Sequence, residues 1–264
     1  MMRIPFVQPK PPTVAVIRLQ GSIANSGQGL DDTSLGPAIE KAFRRGKPAA
    51  VALQINSPGG SPVQSSLIAA RIRRLADEKD IPVFAFVEDV AASGGYWLAC
   101  AADEIFLDAT SITGSIGVIA AGFGLDGLIS RHGVERRVHT AGTSKSFLDP
   151  FRPEKEEDVA RLKRWLDEIH TVFIDHVKDR RGAKLADDPA LFTGEIWVGR
   201  AAVEKGLADD IGHLVPVMKD RFGDKVRFRR YGPKKSLLGR IGARVVEGTV
   251  AEIEERAAFA RFGL

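Results

Sequence analysis

The sequence predicts an α/β fold with a largely parallel sheet, on three observations. The runs "TVAVIRL" (13–19), "AAVALQI" (49–55) and "IPVFAFV" (81–87) are continuously apolar and read as strands covered on both faces. The segments between them place apolar residues at helical spacing among charged ones. With 264 residues, 44% of them hydrophobic, the chain can fill one substantial core, or one core and a short appendage.

Taken in order, the opening residues hold one early arginine and then Pro5, Pro9, Pro11 and Pro12, where a signal peptide needs an unbroken apolar stretch. No segment approaches the roughly 20 apolar residues of a membrane span. Together these predict a cytoplasmic protein, with contact at the inner membrane surface left open. After the first strand, a helix over 35–45 sets Ile39 and Phe43 one turn apart; a second, over 63–78, aligns Leu67, Ala70, Ile72 and Leu75 among arginines. Shorter strands are predicted at "EIFLD" (104–108) and "SIGVIAA" (115–121), and His139 falls in a further candidate strand. A long charged helix over 154–180 carries Leu162, Trp165, Ile169 and Phe173 on one face. Near the end, "DKVRFRRYGPKK" reads as an exposed basic strand broken by Gly232 and Pro233. Residues 236–262 then form an amphipathic helix through Leu238, Ile241, Val246, Val250, Ile253 and Ala257, weakened by Gly239, Gly242 and Gly248. The division expected is a domain over 1–232 and a helical tail over 233–264.

A formal charge of +4 over this length does not point to nucleic acid. A single cysteine, Cys100, excludes an intrachain disulfide and suits a reducing compartment.

Chemistry concentrates at two strand-to-helix junctions. In "INSPGGSP" (55–62), glycines let the amides of a tight turn face a ligand oxygen, although the same residues are ordinary turn formers. In "DVAASGGYWLACAAD" (89–103), Ser93 begins a helix, and Gly94 and Gly95 leave its Oγ accessible with the Gly94 amide facing the same space. Ser93 is then either a helix cap or a nucleophile, and a nucleophile needs a base. His132 sits at a helix end, His139 in a candidate strand, His170 and His176 on the long helix and His213 after "DDIG", each in a structural setting. Glu88 and Asp89 lie near Ser93, but carboxylates orient a base more readily than they replace one. Lys145, in "HTAGTSKSFLDPF", is flanked by small and apolar residues. A lysine taken out of water can give up its proton near neutral pH. In a solvated loop it would be an ordinary surface residue.

The ordered motifs "NSPGG", "AASGGYWLACAADEIFLD", "TGSIGVI", "GTSKSFLDPFRPEKEED" and "FTGEIWVGRAAVEKGLADDIG" resemble the signal peptide peptidase A family over residues 14–214. The resemblance implies a Clp protease/crotonase fold of repeated β-β-α units and a serine endopeptidase acting on small or unfolded apolar peptides through an acyl-enzyme. It implies Ser93 as nucleophile, Lys145 as general base, Ser115 as the serine holding the lysine amine, and the Gly60 and Gly94 amides as oxyanion hole. It implies no cofactor and no metal. It further implies a homo-oligomer with nucleophile and base from neighbouring subunits. Many relatives carry a membrane anchor before this domain, and none is visible ahead of Val14. The basic strand and tail helix would instead allow peripheral membrane contact, and no nucleic acid is expected. Two alternatives remain: a crotonase-type acyl-CoA hydratase or isomerase using the same paired amides, and a non-catalytic membrane-associated scaffold.

Overall fold

Strand β1 (Thr13–Gln20) is flanked by β2 (Ala50–Ser57) and β8 (Arg227–Tyr231), and β2 in turn by β3 (Val83–Ala92), all parallel. The computed structural model describes residues 10–25, 29–142, 144–232 and 255–264. Crossovers α1 (Asp32–Arg44) and α2 (Pro62–Lys79) join the first three strands, and α3 (Gly94–Ala99) follows β3 directly. Then come β4 (Glu104–Leu107), β5 (Ile112–Gly114), α4 (Asp126–Arg131), α5 (Glu156–Arg181), β6 (Ile196–Val198), α6 (Gly199–Glu204), β7 (Asp210–Ile211) and α7 (Leu214–Phe222). Among the described residues, six of the seven strand pairings run parallel, and only β5 with β6 is antiparallel. The α/β class and mostly parallel sheet read from the sequence are those of the structure.

The helices start where their sequences provide caps. Asp31 accepts from the Ser34 amide at 2.9 Å, and Ser61 precedes Pro62 at the first helical position of α2. One face of the sheet packs Ile17, Leu19, Leu53 and Ile55 against Leu35, Ile39 and Phe43 of α1 and Ile68 and Ile72 of α2, with Phe173 and Val177 of α5 joining the same cluster. The other face, with Val14, Val16, Phe84, Phe86 and Phe106, is covered by α7 through Met218.

Strand β3 serves two partners in succession. Phe84 to Val87 pair with β4, and Val90 to Ala92 pair with β5. The sheet therefore forks along one strand, and the fork ends at the residue before Ser93.

The strand expected over 115–121 lies elsewhere. Strand β5 is Ile112–Gly114, and the chain leaves the ladder there because Gly114 and Ser115 take φ of 96° and 50° in succession, far from extended backbone. His139 likewise lies outside any strand. The exposed basic strand is β8, with Arg227, Arg229 and Arg230 on the surface. Of the tail helix expected over 236–262, residues 233–254 lie outside those described, together with the boundary proposed there, and residues 255–260 are helical. No helix among the described residues is long and apolar enough to cross a membrane.

One ion pair sits inside the fold. The Arg181 side chain, 2% exposed, donates to Asp209 Oδ2 at 2.8 Å and to the Gly206 carbonyl at 2.9 Å, while Lys184 reaches Asp209 Oδ1 at 2.6 Å. Burial pushes the Asp209 carboxyl up, but the hydrogen bonds from Arg181, Lys184 and the Ile105 amide outweigh it and hold the group below its ordinary value. A depressed carboxylate stabilises the fold above its unfolded value, and that contribution is lost as pH falls through the lower folded value. Asp209→Ala should therefore cost about 3–5 kcal/mol at neutral pH by leaving a buried guanidinium unpaired, and should flatten the acid limb of stability. Urea titrations of both proteins across the acid range check this, with Lys184→Ala, at an exposed partner, expected to cost under about 1 kcal/mol.

Candidate active site

Ser93 stands at the turn from β3 into α3 with φ 53° and ψ −123°, a left-handed backbone rare outside glycine. The turn holds because Ser93 N–H donates to Gly114 O at 2.9 Å, extending the β3–β5 ladder by one step, and Trp97 N–H closes the helix onto Ser93 O at 3.0 Å. The Ser93 side chain makes no cap hydrogen bond to α3. Its half-buried hydroxyl faces a cavity instead.

Such strain persists only where the surroundings over-determine it. Ser93→Gly should accordingly be more stable than Ser93→Ala by about 1 kcal/mol, since glycine occupies positive φ without penalty. Denaturant midpoints of the two variants measure the difference, and an alanine variant equal to the glycine one would show the backbone to be unstrained.

The cavity has a volume of about 560 Å³, and Ser93, Ser115, Gly60 and Gly94 all line it. Gly60 follows β2 with φ 141°, locked to the 20s loop by Ile23 N–H to Gly59 O at 2.8 Å and Ser61 N–H to Ile23 O at 2.7 Å. Any side chain there would strike the Ile23 carbonyl. Gly94 is confined as well: a Cβ on it would hit Ser65 Oγ and sit 3.4 Å from the Gly60 nitrogen. Two glycine junctions remote in sequence thus meet. Among the described residues neither amide has a hydrogen-bond partner, and the Gly94 N–H belongs to the unsatisfied first turn of α3.

The adjoining wall is aromatic. Trp97 of α3 stacks between Phe173 and His176 of α5, with centroids at 4.9 and 4.7 Å. His176 Nε2 lies 3.2 Å from Trp97 O, and burial holds its ring below the ordinary histidine value. His170 lines the cavity, its Nε2 3.0 Å from the Ile116 carbonyl. His213 pairs with Asp108 at 2.8 Å on the surface, and His132 ends α4. Cys100, fully buried beneath α3, has its thiol pushed up to about 12 by burial and is inert at neutral pH.

Lys145 is placed differently. It is exposed, lies in the loop that packs Phe147 against Trp165 of α5 at 5.0 Å, and does not line the cavity of its own chain. The structure therefore brings together Ser93, Ser115, Gly60 and Gly94 and leaves Lys145 apart. The sequence reading overlooked Trp97 and Thr193 on the cavity wall, as well as Arg261 and Phe262 from the chain's end. The helical face through Ile169 and Phe173 pointed to the α5 contribution; nothing in the linear sequence marks the C-terminal one.

Residues 76–221 match the model of peptidase family S49. The chain is 48% identical over 271 residues to a protein named Na(+)/H(+) antiporter NhaA from Brucella melitensis biotype 1, a match that covers 95% of this chain and 37% of that protein. It is 34% identical over 166 residues to a putative signal peptide peptidase SppA from Enterococcus faecium, covering 62% of this chain and 47% of that one. The chain thus spans between about a third and a half of the length of these curated relatives. A solved structure of a mutant of the 1510-N membrane-bound stomatin-specific protease superposes with a TM-score of 0.52 at 14% identity, over 83% of this chain and 97% of that one, a likeness of fold.

Proposed function

Because the chain belongs to peptidase family S49, we propose that it is a serine endopeptidase in which Ser93 attacks the peptide carbonyl and Lys145 of an adjoining copy is the base. The observation that carries this reading is the Ser93 turn: an uncapped hydroxyl on strained backbone, facing a cavity into which two unpaired amides, of Gly60 and Gly94, also open.

In this mechanism the unprotonated Lys145 amine takes the proton from Ser93 Oγ as Oγ bonds to the carbonyl carbon. The oxyanion receives the Gly60 and Gly94 N–H groups, a contribution of about 3–4 kcal/mol per donor in acyl-transfer enzymes. The lysinium returns the proton to the leaving amine, and water then cleaves the acyl-enzyme by the same path. Ser115 follows Gly114 of β5 as Ser93 follows Ala92 of β3, and in this mechanism its hydroxyl accepts from the lysine amine. Gly-lined junctions and the aromatic wall suit an extended apolar peptide in an unfolded state.

Support for a base from a second copy comes from the exposure of the segment that carries Lys145. Phe123 is 86% exposed, Ile119, Leu128 and Val134 are more than half exposed, and α4 buries none of its residues. Along α5, Trp165, Ile169 and Val172 are also partly uncovered. A surface of that kind on a single chain is ordinarily an association face. Among the described residues no carboxylate lines the cavity, so a crotonase-type proton transfer would likewise need its base from a second copy. Labelling with a fluorophosphonate, followed by peptide mapping, tests the proposal: modification at Ser93 that disappears in Lys145→Ala supports it, and an assembled but unlabelled protein overturns it.

A further inference from the structure

The cavity at Ser93 is completed by residues from the far end of the chain. Arg261, itself exposed, and the half-buried Phe262 line the same cavity as Ser93, Gly60 and Gly94. Their segment is helical over 255–260 and ends in a tight turn, with Phe262 N–H on Phe259 O at 2.9 Å and Gly263 N–H on Ala260 O at 3.1 Å. At its start, Glu255 Oε1 lies 2.6 Å from where a Cβ on Gly21 would sit, so the segment rests on the end of β1, next to the loop that locks Gly60.

The charge balance of this cavity is one-sided. Among its lining residues Arg261 is the single lysine or arginine, and no aspartate or glutamate accompanies it. No salt bridge to Arg261 occurs among the described residues. The other ionisable group on the wall, His170, is engaged with the Ile116 carbonyl. The Gly60 and Gly94 amides add further positive potential from the other side. A cation and two unpaired donors around an apolar chamber of Trp97, Phe173 and Val118 favour a ligand that is apolar in its body and carries an anion at one end.

We infer that Arg261 is a specificity residue that selects peptides presenting a carboxylate, from an acidic side chain or a free C-terminus, next to the apolar group held at Ser93. This rests on the peptidase reading above and adds to it a substrate class. A guanidinium meets a carboxylate in bidentate fashion and directs it without taking part in the chemistry.

Binding to the full-length Ser93→Ala protein tests this without turnover. One fluorescein-labelled apolar peptide is prepared in four forms: C-terminal amide, free acid, amide with one internal Glu, and amide with Gln at that place. The free acid or the Glu peptide should bind about tenfold tighter than its neutral counterpart by fluorescence anisotropy, with the advantage shrinking toward about 0.5 M salt. Whichever pair differs identifies the source of the carboxylate. The advantage should vanish on adding Arg261→Gln and return in part with Arg261→Lys. Equal binding of charged and neutral forms, binding of none of them, or a preference that survives Arg261→Gln overturns the inference. So does a tighter and equal grip on all four peptides after removal of residues 255–264, which would make the segment a plug. Fluorophosphonate labelling of the wild type separates the two levels: no labelling with carboxylate selectivity intact rejects the peptidase reading alone.

Discussion

Ser93→Ala should lower peptide cleavage by at least about a thousandfold while leaving the fold and the assembly state unchanged. The size follows from the site. The hydroxyl lines the same cavity as Gly60 and Gly94 and caps no helix, whereas Ser115 sits one ladder away, its backbone N–H on Glu195 O at 2.7 Å. Residual activity, if any, would come from the Gly60 and Gly94 amides polarising a bound carbonyl for water. Ser115→Ala should cost far less, about 10- to 100-fold, because the proposed role for this hydroxyl is to orient the base and not to react. Initial rates on a quenched apolar peptide, with size-exclusion profiles for each variant, provide the check. Ser93→Ala protein that still cleaves at a rate near wild type would remove the proposed nucleophile.

Mixing two inactive proteins should restore activity. Lys145→Ala alone is expected to be as inactive as Ser93→Ala. If each site takes its serine from one copy and its lysine from the next, a co-assembled equal mixture of the two variants leaves about a quarter of its sites with both groups, and the rate should recover toward that fraction. Lys145 in its own chain is exposed and off the cavity wall, on a segment whose Phe123 and Leu128 are uncovered. A mixture that stays inactive after verified exchange of subunits would mean that serine and lysine act within one chain or that Lys145 is not the base.

Much of this was legible in the sequence, for physical reasons. β1, β2 and β3 are sandwiched between layers, so their apolar runs are continuous, and α5 is long enough for its period to stand out. β5, β6 and β7 span three residues or fewer, too short to carry any period, and the strand expected over 115–121 failed on the left-handed backbone at Gly114 and Ser115. At the site, the glycine pairs beside Ser93 and after β2 signalled tight turns at the heads of helices, a local property. The meeting of those turns through Ile23, and the arrival of Arg261 from more than 160 positions away in the chain, are tertiary facts with no local signature. Lys145 was visible as a residue, but a spacing along one chain does not say where its amine lies in an assembly.

The fork in β3 has a consequence for how this protein can change over generations. A single strand sets the position of Ser93 and divides the sheet, so an inserted or deleted codon within residues 83–92 would exchange the side chains packed in its two layers and shift Ser93 off its ladder in one event. The loop over 117–125 and the surface turns of α4 bury little and tolerate drift far better. Lineages of this fold are therefore expected to diversify over 117–131 while the strand bearing Ser93 keeps its length.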